Sequence, residues 1–177
     1  MFRKRERDDY GYLKEYKRGN YRTRYGFVYT NLNSALIQSF AEDVKTVFGL
    51  NGYYHAGKHA FHVKSMDAWM VLKRLGAGKS RDWFIHDEIS QADDTVKAAW
   101  LRAFFDDEAH FVPNGGIRVR SVNRPGLEQA AQMLRRFVPC HLTPAVGLYP
   151  DTSCYLAVPK SARKRFFELI GSGKCPE

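Results

Sequence analysis

The 177-residue sequence has few cysteines and no long apolar run. Its three cysteines, Cys140, Cys154 and Cys175, are far apart and form no C-x-x-C pair. A disulfide framework or a cysteine-ligated zinc site is therefore not expected, and a reducing interior fits better. No apolar stretch approaches the length that spans a bilayer.

The sequence also lacks the patterns of a signal peptide and of a histidine zinc site. The N-terminal residues MFRKRER are basic and no apolar segment follows them, so we expect no signal peptide and an intracellular location, in cytoplasm or nucleoid, with an organelle as an open alternative. His55, His59 and His62 lie close together, but they flank a predicted hairpin turn and form no ligand quartet. A histidine zinc site is not expected either.

Acidic residues are fewer than basic residues in this sequence. The chain has 28 Lys and Arg against 19 Asp and Glu, which gives a net charge of +9. A basic surface gains affinity for a polyanion by releasing its condensed counterions. The balance favours a nucleic acid as partner over a membrane.

The order of predicted elements repeats along the chain. Turn and cap residues predict hairpin, helix, hairpin, helix in the first half and the same order in the second. VKSMDAWMVLKRLGAGKS in the first half is echoed by PKSARKRFFELIGSGKC in the second. We predict an α+β fold with pseudo-two-fold symmetry: a ββαββα half at 1–80, a linker at 81–94 and an αββαββα half at 95–177.

The helix predicted at 95–108 ends in three acids, Asp106, Asp107 and Glu108. Its predicted apolar stripe comprises Val96, Ala99, Trp100, Ala103 and Phe104, widened by Leu101 and Phe105. Anions at a helix C-terminus are disfavoured by the helix dipole. The acids are therefore either solvated residues at a helix end or ligands of a cation.

The segment WLRAFFDDEAHF resembles the signature of the LAGLIDADG homing endonucleases. The resemblance extends to the predicted linker before it, the ββαββα order after it, and the LGAGKS and IGSGKC turns. It implies two packed motif helices whose C-terminal acids bind divalent metal, and two sheets that lie in the major groove of double-stranded DNA. The motif occupies 101–109, and its metal-binding position falls on Glu108.

The resemblance also implies roles for other residues. Mg²⁺ is the expected cofactor, because phosphodiester hydrolysis uses a metal held by one or two carboxylates and water. The repeat places Asp9 opposite Glu108, or Tyr10 after a shift of one residue, so Asp9 is the predicted second metal ligand. Lys79 and Lys174 follow the two glycine turns and are predicted to lie near the scissile phosphate.

Basic residues at alternate strand positions are the predicted DNA contacts. Such residues project from one face of a sheet and can reach guanine edges or phosphates. The candidates are Lys14, Tyr16, Lys17, Arg18, Arg22, Arg24, Arg118 and Arg120.

The first motif departs from the pattern, because FRKRERDD is too short and too charged to form an apolar helix. Three explanations stay open: a homodimer or a second chain paired through helix 95–108, a first helix lost or encoded elsewhere, or a protein that binds without cutting. The leading prediction is a site-specific, metal-dependent double-stranded DNA endonuclease. The alternative is a cleavage-deficient protein of the same fold, acting on RNA as a maturase or on DNA as a regulator.

Overall fold

The structure, a computed structural model, describes residues 11–15, 21–112, 115–144 and 153–173, with only the backbone described at 11–15 and 21–24. The chain divides into two compact units, Met1–Lys73 and Arg74–Glu177. None of the helices in the described ranges is long and apolar enough to cross a membrane.

The first unit follows the predicted ββαββα order. Its elements are β1 (Gly11–Glu15), β2 (Tyr21–Tyr25), β3 (Phe27–Thr30), α1 (Ser34–Phe48), β4 (Tyr53–His55), β5 (Ala60–Val63) and α2 (Met66–Arg74). β1 pairs with β2, and β3, β5 and β4 form a three-stranded antiparallel sheet in that order. Only Gly26 separates β2 from β3, where an added Cβ would lie 2.3 Å from the carbonyl oxygen of Val63.

Local signals in the sequence define the two ends of α1. The Asn33 side chain accepts a hydrogen bond from the Ala35 N–H at 3.0 Å and caps the helix start. Gly49 ends the helix in the left-handed region, with φ of 65°. The buried side of α1 contributes Ile37 and Val44 to a core that also contains Phe27, Phe61 and Val63.

The second unit carries the predicted αββαββα order, preceded by one additional short helix. Its elements are α3 (Asp87–Ser90), α4 (Asp94–Glu108), β6 (Ala109–Phe111), β7 (Ile117–Ser121), α5 (Arg124–Leu134), β8 (His141–Pro144), β9 (Cys154–Val158) and α6 (Arg163–Leu169). The antiparallel sheet has the order β6-β7-β9-β8. That order matches β1, β2–β3, β5 and β4 of the first unit, so the predicted repeat of topology is confirmed within each unit.

The segment 81–94, predicted as a linker, contacts the second unit through Ile85. Ile85 is only 1% exposed, and its N–H donates to the Gln129 side chain at 2.9 Å. His86 caps α3, its Nδ1 accepting from the Glu88 N–H at 3.2 Å. These contacts fix the chain that leads into α4.

The buried face of α4 differs from the predicted one. Leu101 and Phe105 are fully buried, whereas Val96, Ala99 and Ala103 of the predicted stripe are exposed. Two neighbouring apolar stripes run along this helix, about 100° apart. Trp100 and Phe104 of the predicted stripe are half-buried and pack against the same core, so the core side of α4 carries its four large apolar side chains, and the exposed side carries the smaller Val96, Ala99 and Ala103.

Candidate active site and nucleic-acid interface

A polar cleft in the second unit collects the end of α4, the glycine turn after α2 and the ends of two strands. Its volume is about 470 Å³, and its walls are Gly78, Ser80, Trp83, Glu108, Val119, Arg120, Ser121, Val122 and Ser153. The cleft therefore brings the predicted metal ligand Glu108 and the predicted DNA contact Arg120 to one site.

Glu108 is the last residue of α4 and is exposed to the cleft. The chain turns immediately after it, because Ala109 is extended (φ −82°, ψ 142°) and begins β6. A carboxylate at a helix C-terminus opposes the helix dipole, which favours a cationic partner there. The position suits a ligand of a positively charged group.

Asp106 lies in the same acidic run but has a different environment. It is 6% exposed, and its Oδ1 accepts from the Ser172 hydroxyl at 2.6 Å. The Gly173 N–H donates to both carboxylate oxygens at 2.9 Å. Asp106 therefore holds the end of α4 against the turn that follows α6, and its oxygens are committed to that contact.

The turn that carries Lys79 depends on glycine. Gly76 has φ of +105°, and an added Cβ would lie 1.9 Å from the carbonyl oxygen of Phe84. The Lys79 carbonyl accepts from the Asp82 N–H at 3.0 Å and from the Trp83 N–H at 3.3 Å. Lys79 is exposed between two cleft residues, so the structure brings it to the edge of the site that holds Glu108.

Trp83 and Asn123 support one wall of the cleft. The Trp83 ring packs 5.4 Å from that of Phe104, and its carbonyl accepts a hydrogen bond from the Asn123 side chain. Asn123 is 3% exposed and also caps α5, accepting from the Gly126 N–H at 3.1 Å. Sequence reasoning missed Trp83, because its contacts lie about 20 and 40 residues further along the chain.

Arg118 and Arg120 project from the same side of β7. Ile117 and Val119, which alternate with them, are fully buried on the opposite side. The Arg120 Nε donates to the Ser153 hydroxyl at 3.0 Å, and its guanidinium carbon lies 6.0 Å from the centre of the Tyr155 ring. Sequence reasoning also missed Ser153, which lies 33 residues from Arg120 and pairs with it only across the sheet.

The remaining predicted residues fall in two groups. In the first unit the register pairs Lys14 with Arg22, and Arg24 lies two positions further along β2, which is the spacing of one strand face. The others lie outside the described residues: Asp9, Tyr16, Lys17, Arg18 and Lys174.

The first unit has a second basic and aromatic cluster, on β4 and β5, that sequence reasoning did not assign to DNA. The Tyr53 ring stacks on the His62 imidazole, with 4.8 Å between centroids and 6° between planes, and Lys64 Nζ lies 5.2 Å from the Tyr53 centroid. Burial, followed by the nearby charges of His55, Lys58 and Lys64, lowers the pKa of His62. The alternation of Tyr53 with His55, and of His62 with Lys64, was the available sequence signal.

Known structures share this fold, although the chain matches no protein-family model and no curated protein. Mesophilic variants of the homing endonuclease I-DmoI have a TM-score of 0.69 and 16% identity, covering 91% of this chain and 87% of that one. I-DmoI in complex with DNA and Mn has a TM-score of 0.68 and 16% identity, covering 91% and 88%. I-DmoI in complex with DNA and Ca has a TM-score of 0.62 and 13% identity, covering 94% and 86%.

The chain has the homing-endonuclease fold. The predicted α+β class is thereby confirmed, and at this level of identity the similarity establishes the fold alone.

The implied cofactor of the cleft is a divalent cation. Mg²⁺ takes one or two carboxylates and completes its shell with water and phosphate oxygens. Glu108 fits one such ligand, whereas Asp106 does not, because both of its oxygens accept hydrogen bonds from Gly173. Within 11–15, 21–112, 115–144 and 153–173, no group of three or more His, Cys, Asp or Glu residues is placed to hold a metal ion.

The Asp106 contact yields a prediction about stability. Asp106→Ala removes a buried, charge-assisted hydrogen-bond acceptor and should lower the free energy of unfolding by about 3 kcal/mol. The adjacent exposed Asp107→Ala should change it by less than about 1 kcal/mol. Urea denaturation followed by tryptophan fluorescence measures both, and equal effects of the two substitutions would contradict the assigned role of Asp106.

His62 yields a prediction about pH. Because its folded pKa lies below its ordinary value of 6.5, the neutral form is favoured in the fold. His62 therefore makes its full contribution to the free energy of unfolding at pH values above its pKa in the unfolded chain. This contribution decreases as the pH falls below that value. His62→Phe keeps a ring against Tyr53 and removes an Nε2 that is buried without a hydrogen-bond partner among the residues that the structure describes.

We therefore expect the urea midpoint of the His62→Phe variant to change less than that of the wild type between about pH 7.5 and about pH 5.5, on either side of the ordinary histidine pKa. His59→Asn is the matched control, because His59 is exposed with φ of 47°, a conformation that asparagine tolerates. It should retain the wild-type dependence. An unchanged dependence in the His62→Phe variant would rule out His62 as its source.

Proposed function

We propose that this protein is a site-specific double-stranded DNA endonuclease that hydrolyses phosphodiester bonds with a divalent metal. The observation that carries the proposal is the shared cleft of Glu108 and Arg120, a carboxylate and a guanidinium at one polar site within the homing-endonuclease fold. A metal held by a carboxylate and a cation that faces the phosphate both stabilise the transition state of phosphodiester hydrolysis.

The distribution of charge supports DNA as the substrate. The net charge is +9, and Arg118 and Arg120 project from the side of β7 opposite its buried residues. In the first unit, Tyr53, His62 and Lys64 combine an aromatic stack with a cation. Guanidinium groups suit both phosphates and guanine edges, whereas the narrow major groove of an RNA helix does not admit a sheet.

Four residues would share the proposed chemistry. Glu108 would hold Mg²⁺, with Asp9 as its counterpart from the first motif. When bound, the metal would polarise the phosphate and lower the pKa of a water molecule. Lys79, on the glycine turn beside the cleft, would contact the phosphate and its water, and Lys174 would do the same after the second turn. An intracellular location belongs to the same proposal.

A second candidate function is binding without cleavage. Among the residues that the structure describes, Glu108 is the carboxylate lining the cleft, and a single carboxylate is the minimum for a Mg²⁺ site. A chain of this kind would act on RNA as a maturase or on DNA as a regulator. A cleavage assay of the wild type and of the Glu108→Gln variant separates the two functions.

Glu108→Gln tests the endonuclease. The substrate is a duplex recovered from a random-sequence pool by its binding to the full chain, incubated with Mg²⁺ under single-turnover conditions. We expect the cleavage rate to fall at least about a hundredfold, since a bound metal contributes several kcal/mol to transition-state stabilisation. EDTA should abolish cleavage by the wild type.

Glu168→Gln is the matched control, because Glu168 is an exposed glutamate of α6, where it pairs with Lys164 at 3.8 Å. It should cut at the wild-type rate. Binding without cutting by the wild type, with affinity unchanged in the Glu108→Gln variant, would support the second candidate and overturn the first.

The exposed face of α4 motivates a proposal about assembly. Val96 is 43% exposed, and Ala99 and Ala103 are exposed on the same side of the helix at a spacing of four residues. Small side chains at that spacing let a second helix approach closely, and the helix would come from a second copy of this chain. Light scattering should then give twice the 20.4 kDa of one chain. Ala103→Arg should restore the single mass, whereas a wild type of single mass would rule out the homodimer.

A further inference from the structure

Arg118 and Arg120 share one face of β7 but differ in their surroundings. Arg120 lines the cleft that contains Glu108, and Arg118, two residues nearer the start of the strand, is absent from the cleft walls. Residues two apart on a strand are separated by about 7 Å. The sequence predicted a single role for both arginines, namely contact with DNA, and the structure distinguishes them.

Ser153 and Tyr155 both contact the guanidinium of Arg120. Ser153, which is 4% exposed, accepts the Arg120 Nε–H at 3.0 Å, and the guanidinium carbon lies 6.0 Å from the centre of the Tyr155 ring. Register places Tyr155 directly opposite Arg120, so the sheet itself sets the second contact. A buried hydroxyl and a paired ring reduce the freedom of a long side chain, which lowers the entropic cost of a phosphate contact.

The walls around Arg120 suit a phosphate better than a base edge. Ser80, Ser121 and Ser153 line the same cleft, and serine hydroxyl groups can donate to a phosphate oxygen, whereas the carboxylate of Glu108 would share the site with a phosphate through the proposed metal. A base pair in a duplex presents its edge in a groove, which an exposed side chain on the open face of a sheet, such as Arg118, can reach. A phosphodiester oxygen can enter a polar cleft, and an oriented guanidinium binds it through parallel N–H groups.

We infer that Arg120 contacts the phosphodiester group at the cleavage site, that Ser153 is the residue that positions it, and that Arg118 reads a base pair. The inference rests on the proposed function, because it assigns parts within that same site. Arg120 should therefore affect the rate of cleavage, whereas Arg118 should affect the choice of sequence.

The test compares variants of the full chain on the duplex selected from the random-sequence pool and on its single-base-pair substitutions. Arg120→Gln should weaken binding by the same factor on every duplex, and the slope of log K against log salt concentration should become shallower by about 1. Its single-turnover cleavage rate in Mg²⁺ should fall about a hundredfold. Arg118→Gln should instead relax the preference at one base pair.

The positioning role of Ser153 is tested by a measurement that a general loss of structure would not reproduce. Ser153→Ala should lower the cleavage rate about tenfold and change the dissociation constant less than about twofold, as expected for an interaction made in the transition state. Ser153→Thr keeps the hydroxyl and should restore most of the rate. Arg165→Gln, which removes an exposed charge from α6, should match the wild type in binding and cleavage.

The outcomes separate this inference from the proposed function. If the Arg120→Gln variant relaxes the preference at a base pair as the Arg118→Gln variant does, or the Ser153→Ala variant cuts like the wild type, the inference is overturned and the endonuclease stands. If the wild type binds but does not cut, the endonuclease fails, and the uniform loss of affinity and the salt slope still decide whether Arg120 contacts phosphate. A wild type that selects no duplex overturns both.

Discussion

The burial of the last turns of α4 is the constraint on which the candidate site depends. Phe105 is fully buried, with its ring 4.9 Å from that of Phe166, and Asp106 accepts hydrogen bonds from the turn after α6. Residues two apart on a helix point about 200° from one another. Once Asp106 is held inward, Glu108 must point outward, where the cleft lies.

The same packing explains how a basic chain tolerates a run of acids. The charge of Asp106 is compensated by a hydroxyl and a backbone N–H, and Arg102 lies 3.9 Å away. Glu108 keeps its exposure to the polar cleft. On β7 the alternation of Ile117 and Val119 with two arginines separates the apolar core from the basic face. The apolar core, the carboxylate of the cleft and the basic face are therefore consequences of one helix and one adjoining hairpin.

Prediction from sequence succeeded where a feature depends on neighbouring residues. The start of α1 at Asn33 and its end at Gly49 follow from cap chemistry. The turn at Ala56–Lys58 follows from its glycine and flanking strands. It failed where two arrangements satisfied the same pattern, as in the exposed side of α4, because helical periodicity cannot choose between two adjacent apolar stripes.

The sequence by itself determined the α+β repeat and the basic character of the chain, and its motif led to the prediction of Glu108 as the metal ligand within the acidic run. Periodicity, composition and a motif are local or additive properties. Only the tertiary structure decided that Ser153 contacts Arg120, that Trp83 forms a wall of the cleft, and that Asp106 is committed to a structural contact. Those pairs are 33 to 67 residues apart or meet at a shared cavity, and strand register and helix packing bring them together.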